Sequence, residues 1–353
     1  MENKFLPVGK LPVDLLESLL VSAAPQDDRV LVGPGIGLDC AIIDAGATLF
    51  ALKSDPITFA TEEIGWYAVQ VNANDIATTG ATPRWMLVTM LLPEGQTTPE
   101  LVEDINEQLR AACTEIGVSI IGGHTEITYG LERPILIATM IGEVHRAALI
   151  TPRGAQPGDR LLLTKGVPIE ATAILAGEFA KKLGDISNLS NPLSQDELAE
   201  AKAFLYRPGI SVLRDARIAT QAGQVNAMHD PTEGGLYAAL WELAQASGCS
   251  LQVDLSQVYI PPLSQRICQI LDLDPFGAIA SGALLMAVPA QHVEKICQAL
   301  GKSEILCQQI GKVLAPTELA GDNNQRPEVW HVGGRKLQRL PRPGRDEIAK
   351  LYD

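Results

Sequence analysis

Three aspartates near the start of the chain sit where carboxylates are costly. Asp39 precedes the apolar run from Cys40 to Ile43. Asp55 follows Thr48–Ser54, and Asp75 lies inside a helical stretch of apolar and small residues. Carboxylates in such settings are stable when paired or bound to a cation. A hard divalent ion takes oxygen ligands, commonly one or two carboxylates with phosphate and water. Asn72 and Asp75 are three residues apart and share a helix face. The set predicts Mg2+ held by Asp39, Asp55 and Asp75 beside a phosphate-bearing ligand. The competing account is that each aspartate is a local cap or turn residue.

Glycine-rich segments supply candidate phosphate cradles, because backbone N–H groups close around oxygens where no Cβ intervenes. Gly33-Pro34-Gly35-Ile36-Gly37 is one, read otherwise as a plain turn between strands. Ile121-Gly122-Gly123-His124-Thr125-Glu126 is a second, expected as a tight turn after a strand at 118–121 that places His124, Thr125 and Glu126 at a cleft mouth; a surface hairpin is the alternative. In His229-Asp230-Pro231-Thr232-Glu233-Gly234-Gly235, Asp230 suits a helix N-cap, Pro231 the first helical position and Glu233 a capping box. Helix initiation does not explain Gly234 and Gly235, which each cost about 1 kcal/mol in a first turn. They fit an anion approaching the helix N-terminus. Lys165-Gly166 is a further phosphate candidate, and His124 and His229 are candidate general bases. Neither GxxxxGK[ST] nor GxGxxG occurs; Gly33, Gly35 and Gly37 follow GxGxG spacing. His145, His292 and His331 lack ligand-like spacing, and Trp66 and Trp85 read as core.

The elements that must position these residues follow from periodicity. Residues 1–27 form an arm with a short helix around Leu15–Leu20. Strands over 29–55, a helix over Glu62–Thr79, a strand over 85–92, a helix over Pro99–Ile116 and strands at 118–121 and 134–144 give an α+β domain, 28–150, with helices on one sheet face. Glu62 and Glu63 suit the positive end of the first of those helices. A turn-rich joint at 153–159 leads to a mixed α/β domain, 156–317. It has strands at 160–166, 251–255, 283–288 and near 310–314, and helices around 169–183, 195–204, 209–222 and 233–247. Residues 318–353 are expected as a surface tail.

A net charge of −14 argues against nonspecific nucleic-acid binding and against an anionic membrane surface. No apolar run is long enough to span a bilayer and no leader is recognisable at the start. Six scattered cysteines without a CxxC pair read as reduced thiols in a cytoplasmic protein.

Taken in order, the motifs resemble the aminoimidazole-ribonucleotide (AIR) synthase-like, or PurM-like, superfamily, most nearly its hydrogenase-maturation HypE branch. The matching segments are Asp39-Cys40-Ala41, Ser54-Asp55-Pro56, Asn74-Asp75-Ile76-Ala77, Gly80-Ala81-Thr82-Pro83, Gly122-Gly123-His124-Thr125 and Asp230-Pro231-Thr232-Glu233-Gly234-Gly235, spread over roughly residues 28–320. The resemblance implies two domains. The N-terminal one is a ferredoxin-like-type sheet domain that dimerises as a shared barrel; the C-terminal one is mixed α/β and closes over the nucleotide. It implies ATP in clefts along a homodimer interface, with Mg2+ on Asp39, Asp55 and Asp75. Contacts from Gly35, Gly37, Asn74, Gly122, Gly123, Thr125, Lys165, Asp230, Thr232, Gly234 and Gly235 would hold the nucleotide beside a small-molecule acceptor. Two departures stand out. His124 replaces the usual metal-binding aspartate, and imidazole is a poor Mg2+ ligand. Leu340-Pro341-Arg342 runs on through Pro343 to Asp353 with no cysteine beyond Cys307, so HypE's chemistry on a terminal thiol is not expected by that route. Selenophosphate chemistry is not expected either, because no cysteine precedes the glycine loop. Three readings follow: an ATP- and Mg-dependent enzyme that phosphorylates or activates a small acceptor, a nucleotide-binding regulatory or assembly protein without catalysis, or a thiamine-monophosphate kinase. Leu38 counts against the last, standing where a tandem aspartate is expected.

Overall fold

A computed structural model describes residues 6, 10–22, 25, 27–58, 62–185, 191–315, 326–333, 336–340 and 342–352. The chain divides into two compact units. The smaller comprises Pro25–Gly33 and Asp39–Leu149; the larger comprises Met1–Ala24, Pro34–Leu38 and Ile150–Asp353. Helix α1 (Val13–Ser22) belongs to the larger unit.

In the smaller unit the order is β1 (Val30–Val32), β2 (Ala41–Asp44), β3 (Leu49–Ile57), α2 (Ile64–Thr78), β4 (Thr82–Pro93), α3 (Pro99–Ile116), β5 (Ser119–Thr128) and β6 (Ile135–Val144). They form one sheet in the order β1-β2-β3-β6-β4-β5. Neighbours run antiparallel except β4 and β5, which α3 joins as a parallel pair. Helix α2 packs on β3 and β6 and against α3. Because it is covered on nearly every side, its residues are apolar or small almost throughout, and Gln70, Asn72, Asn74 and Asp75 are polar groups carried into the interior. Its start differs from expectation. Glu63 is a left-handed N-cap that makes no side-chain cap, and the Gly65 N–H donates to Gln108 Oε1 of α3 at 2.9 Å. Helix α3 begins conventionally: Thr98 accepts from the Leu101 N–H, Pro99 occupies the first turn, and left-handed Gly117 ends it.

The Gly122-Gly123 pair is not a turn. Both glycines lie inside β5, where Leu87 pairs with Gly122 and Val88 with Gly123, after a register shift that leaves Ile121 unpaired as a bulge. A Cβ on Gly123 would lie 1.8 Å from the Val88 carbonyl oxygen, at a φ of +150°. Glycine here permits close strand approach rather than a turn.

The larger unit contains β7 (Arg160–Thr164), α4 (Ile169–Glu178), α5 (Ala180–Leu183), α6 (Gln195–Lys202), α7 (Leu213–Ala222), β8 (Ala227–His229), α8 (Gly235–Ser247), β9 (Leu251–Val253), α9 (Pro262–Leu271), β10 (Leu285–Val288), α10 (Val293–Gly301), β11 (Cys307–Val313), β12 (Val329–Gly333) and β13 (Lys336–Leu340). Its strands follow the order β13-β12-β9-β11-β7-β10-β8. Leu161, Leu163, Val253 and Leu285 from the sheet pack with Leu236, Leu240 and Leu243 of α8 in one buried cluster. Both units match the expected α+β, two-domain architecture. Helices α9 and α10 and strands β8, β12 and β13 were not foreseen.

The expected surface tail is corrected as well. Its residues 318–325, 334, 335, 341 and 353 lie outside the described residues, but β12 and β13 extend the sheet, and Asp346, Ile348 and Ala349 are buried. Val329 faces the core cluster, which explains why this stretch folds inward.

Candidate functional site

Strand alternation puts Leu49, Ala51, Lys53, Asp55 and Ile57 on one face of β3. The apolar members are buried, and the two charged ones meet α2. Lys53 Nζ lies 3.2 Å from Asp55 Oδ2 and 3.3 Å from Asp75 Oδ2, and Asp75 is only 2% exposed. The Asp55 N–H donates to Asn72 Oδ1 at 3.1 Å, while Asn72 Nδ2 donates to the Ala68 carbonyl. Asn72 therefore fixes β3 to α2 in the register that aligns the two carboxylates. Asp39 also acts on Lys53. Burial works against the ammonium charge, but Asp75, Asp39 and Asp55 outweigh it and hold its pKa well above the ordinary lysine range. The Cys40 thiol donates to the Asp75 carbonyl at 3.3 Å, tying the residue after Asp39 to the same helix.

Three aspartates from three separate segments thus converge on one half-buried lysine. Their donor chemistry fits a divalent cation: three carboxylates against one ammonium leave excess negative charge, and all the ligand atoms are hard oxygens. Sequence reasoning missed Lys53. The signal was the alternation itself, which places a lysine on the covered face two residues from Asp55.

The 122–125 segment is elsewhere in the same sheet. Asp55 pairs with Ala138, Ala138 with Val88 and Val88 with Gly123, so three strand spacings, roughly 14 Å, separate them. Within one chain His124 and Thr125 do not join the carboxylate cluster. His124 instead pairs with Glu126 at 3.2 Å on an exposed strand. Residues Ser119–Ile127 are exposed throughout, including Ile120, Ile121 and Ile127.

The other predicted residues lie in the larger unit. Gly37, at φ +67°, lets its loop touch α8: a Cβ would sit 2.5 Å from the Glu242 carbonyl oxygen. Gly35 is packed by the Leu38 side chain. His229 is buried at the end of β8, its Nε2 2.9 Å from Glu242 Oε2, and Lys10 Nζ approaches the same carboxylate at 3.6 Å. Asp230 is not the N-cap. The chain turns through 230–234 and α8 begins at Gly235 with left-handed Gly234 as its cap. The anion at that helix end is the protein's own: the Gly234 N–H donates to Asp346 Oδ2 at 2.5 Å, and the Ile348 N–H donates to Oδ1 at 2.9 Å. Gly235 is required because a Cβ would meet the Phe276 and Ala278 carbonyls at 2.5 and 2.6 Å. The carbonyl of Thr232 accepts from the Gly235 N–H. Burial raises the Asp346 pKa to about 6. Burial likewise lifts Glu170 to about 7, with Asp346 and Asp230 adding to it, although Glu170 Oε2 accepts from the Ser281 N–H. Lys165 is buried and engaged within the unit, with Nζ 2.6 Å from the Ser211 carbonyl and 3.2 Å from Asp215 Oδ2.

Comparison with known proteins assigns both units. Residues 37–144 match the model of the AIR synthase related protein N-terminal domain, and residues 156–322 match that of the C-terminal domain. The chain belongs to the AIR synthase related family. Among its relatives, a putative hydrogenase expression/formation protein of Methanocaldococcus jannaschii is 28% identical over 343 residues, 94% of each chain. Carbamoyl dehydratase HypE of Escherichia coli is 28% identical over 306 residues, 83% of each. A solved HypE in complex with ATP superimposes with a TM-score of 0.66 at 21% identity, covering 97% of this chain and 98% of that one. This likeness places the chain in the HypE-like, PurM-like fold. Among the described residues no helix is long and apolar enough to cross a membrane.

Proposed function

We propose that this AIR synthase related chain binds ATP with Mg2+ on Asp39, Asp55 and Asp75 and uses it to activate a small acceptor with an amide or carbonyl oxygen. The observation that carries this reading is the convergence of those three carboxylates on half-buried Lys53. The relatives described as carbamoyl dehydratases, and the HypE solved with ATP, support the nucleotide and the acceptor class.

Bound Mg2+ would neutralise phosphate charge and orient the transferring group. The chain's own contribution is positional. Asn72 fixes the spacing of the Asp55 and Asp75 segments, and Lys53 offsets their repulsion when no divalent ion is bound. His229, held by Glu242, is the candidate proton acceptor.

A homodimer belongs to this proposal. The outer edge of β5 is long, exposed and rich in isoleucine, the kind of edge that recruits a second strand layer. Gly122, Gly123, His124 and Thr125 would then serve a site that includes the partner's carboxylates. That arrangement reconciles their predicted role with their distance from Asp55 in one chain.

Titration calorimetry of ATP with and without Mg2+ tests the reading. Magnesium-dependent uptake, abolished in Asp39→Asn and Asp55→Asn, is the expected result; uptake indifferent to magnesium or to both substitutions sinks it. Lys53 favours a second reading, a nucleotide-binding assembly or regulatory protein, because the ammonium already balances part of the cluster. Binding of ATP without ADP release on any amide acceptor would select it.

A further inference from the structure

The geometry points to a second chemical site, remote in the sequence from the aspartates. We propose that Cys297 and Cys307 are an oxidisable dithiol, which closes to a disulfide between α10 and β11 on exposure to a peroxide or a small disulfide.

Their Sγ atoms are 3.5 Å apart. A disulfide needs about 2.05 Å, so closure asks for a shift of about 1.5 Å. The connection is preorganised. Helix α10 is anchored by fully buried Ile296 and Leu300. It ends in a tight reversal in which the Ile305 N–H donates to the Leu300 carbonyl and left-handed Glu304 turns the chain back. That reversal brings Cys307, the first residue of β11, beside Cys297. On its other side β11 is held by β7, where Cys307 pairs with Thr164.

Both thiols are half-buried, so a small oxidant has access. Cys297 is also unlike Cys113, Cys249 and Cys268, whose thiols burial pushes up. Burial raises Cys113 to about 11 and Cys268 to about 12. Cys297 moves the other way, down to about 7, because the neighbouring Cys307 stabilises its thiolate. Cys307 is pushed far up by Cys297, by burial and by Asp215. One sulfur is therefore the nucleophile and the other is held in reserve to resolve the product. The chemistry balances with a peroxide. The Cys297 thiolate attacks an oxygen and becomes a sulfenic acid, releasing hydroxide that takes up a proton as water. Cys307 then attacks that sulfur, losing its proton and expelling a second water. Two thiols lose two electrons and two protons, and the O–O bond is reduced.

The bridge would have a local consequence. The Lys165 N–H, next to Thr164, donates to the carbonyl of Leu306, and Lys165 Nζ pairs with Asp215, whose charge reaches Cys307. Drawing Cys307 toward α10 pulls on this lysine, so oxidation and the order of the 164–168 turn are linked.

The test uses the full-length protein treated with hydrogen peroxide or oxidised glutathione and then mapped by peptide mass spectrometry. The expected product has lost two hydrogens, joins the peptides of Cys297 and Cys307, and separates on reduction. Alkylation at pH 7 gives an independent readout. Replacing Cys307 with alanine removes the group that stabilises the thiolate and should slow modification of Cys297 severalfold, the loss of thiolate being partly offset by its greater nucleophilicity. Oxidation that leaves both thiols alkylatable, stops at a glutathione adduct on Cys297, or links either sulfur elsewhere overturns the proposal. Should Cys307→Ala fail to fold, the mapping of the unmodified chain decides alone.

Discussion

Replacing Lys53 with methionine separates a structural lysine cluster from a cation site. Methionine keeps most of the stem and removes the charge that faces Asp75 at 3.3 Å and Asp55 at 3.2 Å. Removing one partner of a buried pair costs about 3–5 kcal/mol; Asp55 is a third exposed, so about 3 kcal/mol at neutral pH is the working figure. That lowers the melting transition of the smaller unit, about 120 residues, by roughly 10–15 °C. The same change should strengthen a divalent ion's hold. A unit charge about 6 Å from the ion contributes a few kcal/mol at an effective dielectric near 20, so its loss should tighten Mg2+ binding at least tenfold. An ion at about a hundred times its dissociation constant restores ~2.7 kcal/mol, nearly the whole deficit. The assay is calorimetric melting of wild type and Lys53→Met across a magnesium titration. Magnesium should raise the variant's midpoint at much lower concentration than the wild type's. Equal responses, or none, would refute the cation site while leaving the lysine cluster as a structural fact. The sign with pH is also fixed. The folded pKa of Lys53 is raised, so its contribution is complete below the unfolded value of 10.5 and disappears as pH climbs through the higher folded value. The variant should lack that alkaline loss.

Glu170, lifted to about 7 from 4.5, favours the fold when protonated, so stability should decline between pH 4.5 and 7 by up to ~3 kcal/mol; Glu170→Gln should flatten that slope in pH-dependent denaturant melts. Gly123→Ala should cost about 1–3 kcal/mol and shift any dimer toward monomer in light scattering, because its Cβ meets the Val88 carbonyl. Asp346→Ala leaves the Gly234 and Ile348 N–H groups without their acceptor and should cost about 2 kcal/mol, read by hydrogen exchange at the start of α8.

The carboxylate set was legible because each aspartate borders or interrupts an apolar run, an anomaly that period and polarity expose without a structure. Long periodic elements such as α3 were legible to the residue, with Thr98, Pro99 and Gly117 marking both ends. Lys53 was not, because a lysine at a strand position looks solvated until a helix covers that face. The glycine pairs misled for one shared reason. A glycine signals close approach or unusual φ but not what approaches: at Gly123 it is a neighbouring strand, and at Gly235 two carbonyls of the same unit. The anion expected at the start of α8 was present, but it came from Asp346, more than a hundred residues away, a distance no local pattern encodes.

The larger unit draws on both ends of the chain, whereas nearly all of the smaller unit is continuous from Asp39 to Leu149. On a ribosome, where residues emerge at about 5–20 per second, the smaller unit can fold as soon as its last strand appears. The larger must wait for Asp346 to seat on Gly234, and until then the Gly234 N–H at the start of α8 lacks its acceptor. Loss of a dozen residues from the trailing end would therefore strike the longer half while sparing the aspartate cluster, and a nascent chain stalled there would hold one finished unit and one unclosed one.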